Sequence, residues 1–265
     1  SKGEIVDVEI VPGRVKANIS IESPSKEVPI KVVPEGEVLF GKAISSISSS
    51  KSKVTIYGSQ EIIDKICACA VRAQKAGVDI IQIHGDRLVG SLCSTILNKR
   101  TDSYGGSLEN RTRFALELVK KLKEVVPNMP IDYKFSVVTP QRGKGGISLD
   151  EAPILAKWLE EAGVDMLHIA QANHTGNMAD TIPPMGVQPY GFFVDIAAQI
   201  KKYVNIPVST VGRIFNPKMA ESILEANKVD IIGLGRILLA DADWVKKVEE
   251  DKIDDIRESI CCKKG

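Results

Sequence analysis

The sequence lacks the features of a membrane-spanning, secreted or nucleic-acid-binding protein. No apolar run approaches the roughly 20 residues that cross a bilayer, and the opening SKGE leads into a mixed polar segment, unlike a signal peptide. Five cysteines, an odd count in 265 residues, argue against a secreted disulfide framework. With 35 Lys and Arg against 34 Asp and Glu, no broad cationic field is available for nucleic acid or an anionic membrane. We therefore expect a cytoplasmic protein with a small-molecule substrate as its partner.

From residue 77 onward, short apolar runs alternate with amphipathic stretches, which is typical of βα units around a parallel sheet. Three helix starts can be read directly, at Ser59, at Ser148 and at Asn216-Pro217. An α/β barrel of about 250 residues would fit this length as one unit. Five runs rich in Val and Ile predict strands: residues 78–84, 131–138, 164–170, 206–212 and 229–233.

The first 58 residues have a different pattern. Three stretches alternate like strands with no helical pattern between them, namely residues 5–11, 15–21 and 28–33. The stretch 45–53 (SSISSSKSK) predicts a solvated loop. Because three βα units would need roughly 90 residues at about 30 each, this segment cannot supply three ordinary units. We expect a β-rich segment over 1–58, and over 59–265 a TIM-type (β/α)8 barrel whose first strands are truncated or remodelled.

Two glycine-arginine pairs follow the last two predicted strands. Gly212 and Gly235 would let backbone N–H groups approach an oxyanion closely, while Arg213 and Arg236 offer charge and forked donors. Each pair alone is consistent with a turn that carries a surface arginine. Two pairs after consecutive strands predict a phosphate site, because the loops after strands seven and eight form that site in this barrel class.

A longer pattern resembles a known family. The segment NKRTDSYGGSLENR, residues 98–111, follows a run that ends Ile83-His84-Gly85 and is similar to the signature loop of the old yellow enzyme family. The runs 207–213 and 229–236, followed by Asp241 and Trp244, are similar to the last two strands of that family. The similarity covers roughly residues 59–262. Within the family, the chain resembles the branch that contains 2,4-dienoyl-CoA-reductase-like and enoate-reductase-like proteins. We interpret residues 98–111 themselves as mainly scaffold.

The resemblance implies FMN as cofactor, NAD(P)H as reductant, and an ene-reductase reaction. Hydride would pass from NAD(P)H to the flavin and then to the β-carbon of an activated C=C bond of the enoate or enoyl thioester type. Gly212, Arg213, Gly235 and Arg236 would hold the FMN phosphate. Lys134 stands where the family has an arginine near the flavin N1 and O2 edge, so the positive charge is kept.

The resemblance also assigns substrate contacts. His84 would donate a hydrogen bond to the substrate carbonyl oxygen, where negative charge develops as hydride arrives. Arg87 replaces a second donor, His or Asn, and would suit a carboxylate or a thioester-linked acyl group. Val89 replaces the proton-donating tyrosine, which leaves the proton donor open. His174 is a candidate substrate contact in a loop at the mouth, whereas His168, inside a strand run, is expected to be structural.

The last twelve residues, DDIRESICCKKG, are similar to the start of the iron–sulfur segment in the longer proteins of the dienoyl-CoA-reductase-like and enoate-reductase-like branch. Cys262 is the clear match, with Cys261 beside it, whereas Ser259 stands where a first cysteine is expected. The four ligands of a 4Fe-4S cluster cannot be assembled from this tail. The resemblance therefore implies a cluster only if the chain is a fragment of a longer protein, with further domains or subunits that carry the cluster or a pyridine-nucleotide site.

Two other interpretations stay open at this point. A flavin-free or inactive barrel that acts as a binding or assembly subunit would explain the missing front strands and the lost tyrosine. An unrelated phosphate-binding barrel, such as an aldolase-like lyase, would explain the glycine-arginine pairs alone.

Overall fold

The structure is a computed structural model that describes residues 25–29, 52–57, 59–86, 88–139, 145–170 and 189–257. The chain divides into two compact units, Ser1–Ile62 and Ile63–Gly265. In the first unit β1 (Ser25–Pro29) pairs antiparallel with β2 (Lys53–Tyr57). β1 overlaps the strand predicted from residue 28. β2 begins at Lys53, which was expected in a loop, because the β-branched and aromatic residues that follow favour a strand. The strands predicted at 5–11 and 15–21 lie outside the described residues.

The remaining elements alternate between helices and strands. In the described ranges no helix is long and apolar enough to cross a membrane. In chain order the elements are α1 (Ser59–Lys75), β3 (Ile81–His84), α2 (Leu88–Cys93), α3 (Leu108–Val125), β4 (Ile131–Val138), β5 (Ile147–Ser148), α4 (Ala152–Ala162), β6 (Met166–Ala170), α5 (Val194–Lys201), β7 (Val208–Thr210), α6 (Pro217–Glu225), β8 (Ile231–Ile232), α7 (Arg236–Ala240), α8 (Trp244–Glu249) and a 3-10 turn (Ile253–Asp255).

Five strands form one parallel sheet in the order β3-β4-β6-β7-β8, and the short β5 pairs with β4. The α/β class and all five predicted strands are confirmed. The strand at 131–138 has the predicted length, whereas the other four are shorter at their ends. In the first of them, Val78 and Ile80 are each 45% exposed. These two apolar residues precede β3, which shows that apolar character alone does not define a strand end.

The two faces of the sheet differ in chemistry. One face is apolar and carries the core, whereas the alternate positions of the same strands are mostly polar, because successive strand side chains point to opposite faces. Burial of each large apolar side chain contributes about 1.5–3 kcal/mol, so the apolar face holds the fold together. The four β4 side chains on this apolar face are at most 1% exposed: Ile131, Tyr133, Phe135 and Val137. The polar face is lined by Gln82, His84, Asp132, Lys134, Ser136, His168 and Ser209.

At two of the three helix starts read from the sequence the structure gives side-chain caps, and at the third α1 begins with Ser59 itself. Asn216 Oδ1 accepts the Lys218 amide at 2.8 Å, and Pro217 occupies the first turn of α6, as predicted. At Ser148 the hydroxyl accepts the Glu151 amide at 3.2 Å, and the Glu151 carboxylate accepts the Ser148 amide at 3.2 Å. This reciprocal pair is a capping box, so the predicted helix-start signal at Ser148 is confirmed, although α4 itself begins four residues later at Ala152.

The segment 98–111 packs as a scaffold around Arg111. This side chain is 4% exposed and donates to Glu151 Oε1 at 2.6 Å, to the Gly106 carbonyl at 3.1 Å and to the Cys93 carbonyl. A buried guanidinium is tolerated only when it is paired and hydrogen-bonded. Arg111 therefore joins the segment before α3 to the end of α2 and to the start of α4.

Candidate active site

A row of paired residues crosses the polar face of the sheet. His84 on β3 pairs with Lys134 on β4, Lys134 with His168 on β6, and His168 with Ser209 on β7. Residues in register on neighbouring parallel strands point to the same face. Lys134 Nζ lies 3.3 Å from His84 Nε2, so two of the residues predicted for the site are in contact. The side chain of His84 is 44% exposed and can be reached from solvent.

His168 belongs to this electrostatic row, beyond the structural role expected from the sequence. Burial lowers the pKa of its imidazole, Asp132 opposes that effect, and Lys134 and His84 lower the pKa further. Burial in turn raises the pKa of Asp132, whose Oδ2 accepts a hydrogen bond from Gln82 Nε2 at 2.5 Å. The row thus gathers two histidines, one ammonium group and one buried carboxyl. The sequence carried a signal for His168, its alternation with the apolar positions of β6, but nothing that showed its neighbours.

Asp86 is a further member of the site, which was not predicted from the sequence. It follows β3 by two residues, its side chain is 4% exposed, and its Oδ1 contacts His84 Nδ1, a contact that becomes an ion pair when the imidazole is protonated. Apart from this contact with His84, Asp86 Oδ1 has no hydrogen-bond partner among the described residues. A buried carboxylate that contacts a partly exposed imidazole is an arrangement found where proton position matters.

The two glycine-arginine turns follow neighbouring strands. Thr210 on β7 pairs with Ile232 on β8, so the turns that follow lie at the same edge of the sheet. Gly212 has φ +122°, and an added Cβ would stand 3.0 Å from the Phe193 ring, so this position requires glycine. An added Cβ at Gly235 would meet nothing within 4 Å. The backbone at Gly235 is therefore open to an approaching group.

Arg213 and Arg236 have different environments. Arg213 is 7% exposed, has a left-handed backbone with φ +56°, and places its guanidinium 4.6 Å from the centre of the Tyr190 ring. This cation–π contact holds the side chain against an aromatic wall. Arg236 is half-buried at the first position of α7. Among the described residues, the guanidinium of Arg213 therefore stacks on an aromatic ring, whereas Arg236 has no such ring contact.

Four residues predicted for the site fall outside the described ranges, namely Arg87, His174, Cys261 and Cys262. Their predicted roles, two in substrate binding and two as cluster ligands, stay predictions. In the part of the chain that the structure describes, no group of three His, Cys, Asp or Glu side chains could hold a metal ion.

Asp241 anchors the segment that follows α7. Its carboxylate accepts hydrogen bonds from Lys247 Nζ at 2.7 Å, from the Arg257 amide at 2.8 Å and from the Asp243 amide at 3.2 Å. The bond from Lys247, followed by that from Arg257, lowers the pKa of Asp241 to about 2. The carboxylate therefore ties α8 and the following turn to the end of the helix that carries Arg236.

This anchor predicts a pH dependence of stability. Because the folded pKa is depressed, the contribution of Asp241 is complete above the unfolded pKa of about 4 and is lost as pH falls towards about 2. We expect the unfolding free energies of the wild type and Asp241→Asn to differ at pH 5 and to converge near pH 2. Urea titrations at several pH values measure this. A difference that stays constant over the range would contradict the assignment.

Comparison with known proteins agrees with the resemblance found in the sequence. Residues 2–255 match the NADH:flavin oxidoreductase / NADH oxidase family. The chain is 60% identical over 206 residues, 77% of its length, to bilirubin reductase of Mediterraneibacter gnavus (strain CC55_001C). It is 41% identical over 199 residues, 73% of its length, to bilirubin reductase of Clostridium symbiosum (strain WAL-14163). A solved 2-naphthoyl-CoA reductase in complex with 2-naphthoyl-CoA superposes on 84% of the chain with a TM-score of 0.72 and 27% identity.

The chain spans only part of these relatives. It covers 32% of the M. gnavus protein, 53% of the C. symbiosum protein and 34% of the 2-naphthoyl-CoA reductase chain. The solved relatives confirm the TIM-type barrel class of this α/β fold. The chain belongs to the NADH:flavin oxidoreductase / NADH oxidase family, the old yellow enzyme family of FMN-dependent oxidoreductases that take electrons from NADH or NADPH.

Proposed function

We propose that this chain is the flavin-binding part of a reductase that uses NAD(P)H to add hydrogen across an activated C=C bond. The observation that carries the proposal is the contact between Lys134 and His84, 3.3 Å apart on the polar face of the sheet. This contact brings together Lys134, which is assigned to the N1 and O2 edge of the flavin, and His84, which is assigned to the carbonyl oxygen of the substrate. An adjacent pair of this kind is suited to stabilise negative charge that develops during hydride transfer.

The residues present fit FMN at its phosphate end. Gly235 is open to an approaching group, Gly212 has a backbone that a side chain would strain, and both follow neighbouring strands. Arg236 would add a charge-assisted hydrogen bond to the phosphate. In the described ranges no parallel strand precedes β3, where the family places flavin-ring contacts. We therefore infer that the phosphate end contributes much of the binding free energy in this chain.

The residues of the chain have separate roles in the proposed reaction. When bound, FMN supplies hydride chemistry. Lys134 keeps a positive charge at the position assigned to the N1 and O2 edge, and His84 orients the substrate carbonyl. A proton must also be delivered to complete the reduction, and Val89 at the family tyrosine position cannot deliver it.

The substrate that we propose is an activated alkene that also carries a carboxylate or an acyl thioester. The two bilirubin reductases support a conjugated substrate, and bilirubin carries carboxylates. The 2-naphthoyl-CoA reductase supports the thioester alternative. The positive charge of Arg87 would suit a carboxylate, and its N–H donors would suit the carbonyl oxygen of a thioester-linked acyl group. We therefore place bilirubin first and enoates or enoyl thioesters second.

The test is reconstitution of the purified chain with FMN. We expect a yellow complex whose flavin absorbance bleaches with NADH or NADPH without oxygen and returns when bilirubin is added. His84→Gln should keep the bound flavin but slow the return, because it removes the substrate contact and leaves the residues assigned to the FMN phosphate in place. A colourless protein that takes up no FMN would favour the flavin-free binding subunit. A substrate trapped on Lys134 by borohydride would favour the lyase.

A further inference from the structure

The turn after β3 is tightly packed on both sides. Gly85 donates its amide to the Lys134 carbonyl at 3.0 Å, and an added Cβ at Gly85 would lie 2.3 Å from that oxygen. On the other side, an added Cβ at Gly90 of α2 would lie 2.5 Å from the Gly85 carbonyl oxygen. Both distances are far below a normal contact, so the turn is held between β4 and α2. The backbone thus fixes where Asp86 stands.

Two contacts determine the proton position on His84. An ammonium group has only donors, so the 3.3 Å contact from Lys134 Nζ requires His84 Nε2 to accept. A carboxylate has only acceptors, so the contact of Asp86 Oδ1 requires His84 Nδ1 to carry hydrogen. Both requirements describe the same neutral tautomer, with its proton on Nδ1. In that state Nε2 cannot donate to a substrate carbonyl.

We infer that Asp86 is a positioning residue that holds the Nδ1–H of His84, so that Nε2 faces Lys134 and becomes a donor when the ring gains a proton. The catalytic role of Asp86 rests on the proposed reduction, whereas the position of the proton on His84 Nδ1 does not. The imidazolium form would donate from Nε2 to the substrate oxygen, while Asp86 balances the new charge. A side chain without a charge at position 86 could not do this.

The charges around His84 act in opposite directions. Asp86 favours the protonated ring, because an anion in contact stabilises a cation. Lys134 on β4 opposes protonation, and His168 on β6 opposes it whenever that ring is itself charged. Asp132 acts on His168 across the same face. The next residue in sequence, Arg87, lies outside the described ranges. Among the described residues, Asp86 and Lys134 therefore act in opposite directions on the readiness of His84 to donate.

The experiment is nitrogen NMR of the histidine rings in the whole chain, which has only three histidines. His84→Gln assigns the signals. In the wild type above the His84 pKa, we expect the proton on Nδ1. Asp86→Asn should lower the pH of half-protonation of His84 by about one unit or more. Lys134→Met should raise it, because a repelling cation is lost.

Asp132→Asn is the matched control, since Asp132 on β4 is as buried as Asp86 and acts on His168 across the same face. It should change His84 less than Asp86→Asn does. A wild-type ring with its proton on Nε2 would overturn the inference even if the Asp86 variant failed to fold. An equal effect of the two variants, or none from Asp86→Asn, would also overturn it. None of these outcomes depends on FMN. A failure of this inference can therefore be distinguished from a failure of the proposed function.

Discussion

Replacing Arg111 with alanine is expected to lower the free energy of unfolding by about 3 kcal/mol or more. The guanidinium is buried, and three acceptors lose their donor: Glu151 Oε1 and the carbonyls of Gly106 and Cys93. Acceptors left buried without a donor carry the full desolvation cost. Because a folded domain is stable by only about 5–15 kcal/mol, this single change should be visible in a urea titration.

Arg100→Ala is the matched control for that experiment. Arg100 also forms an arginine–carboxylate pair in the same segment, with Asp102 at 2.5 Å, but both side chains are about half exposed. Exposed pairs of this kind contribute about 0–1 kcal/mol. Equal losses of stability in the two variants would show that the buried network around Arg111 does not hold the scaffold.

Replacing Arg236 with alanine is expected to weaken FMN binding about tenfold or more, because a charge-assisted hydrogen bond contributes about 1.5–3 kcal/mol. The effect should fall on the phosphate alone. Riboflavin, which lacks the phosphate, should bind the variant and the wild type equally. Fluorescence titration with both flavins gives the two affinities, and their ratio isolates the phosphate from any general change in the pocket.

Arg72→Ala controls for the loss of one positive charge, since Arg72 is an exposed arginine of α1 that donates to Cys69 Sγ at 2.9 Å. It should leave both affinities unchanged. If Arg236→Ala weakens riboflavin as much as FMN, the arginine supports the pocket and does not bind phosphate. If neither affinity changes, the second glycine-arginine turn is not the phosphate site.

Because Val89 stands in place of the family tyrosine, the proton that completes the proposed reduction must come from another group. The two glycine-arginine turns would position the flavin through its phosphate, and Lys134 would hold a positive charge next to His84. The buried Asp86 would then decide whether His84 can donate. A pH profile of the reduction step that moves to lower pH in Asp86→Asn would link the proton on His84 to the chemistry.

Much of the fold could be predicted from the sequence because its signals are local. Runs of Val and Ile marked the strands, and Asn216-Pro217 marked the start of α6. Strand ends were less accurate, as Val78 and Ile80 show, because apolar residues that precede a strand look the same in sequence as those within it. The motif at 98–111 and the two glycine-arginine pairs likewise lie in consecutive residues, so their presence needed no tertiary information.

The composition of the candidate site was decided only by the tertiary structure. His84 and Lys134 are 50 residues apart in sequence and meet because of the register between β3 and β4. His168 joins them through the register with β6. Register depends on which face each strand buries and on hydrogen bonds to a distant segment. The burial of Asp86 depends likewise on packing of its turn between β4 and α2. Local sequence identified the residue types, and long-range packing decided which of them touch.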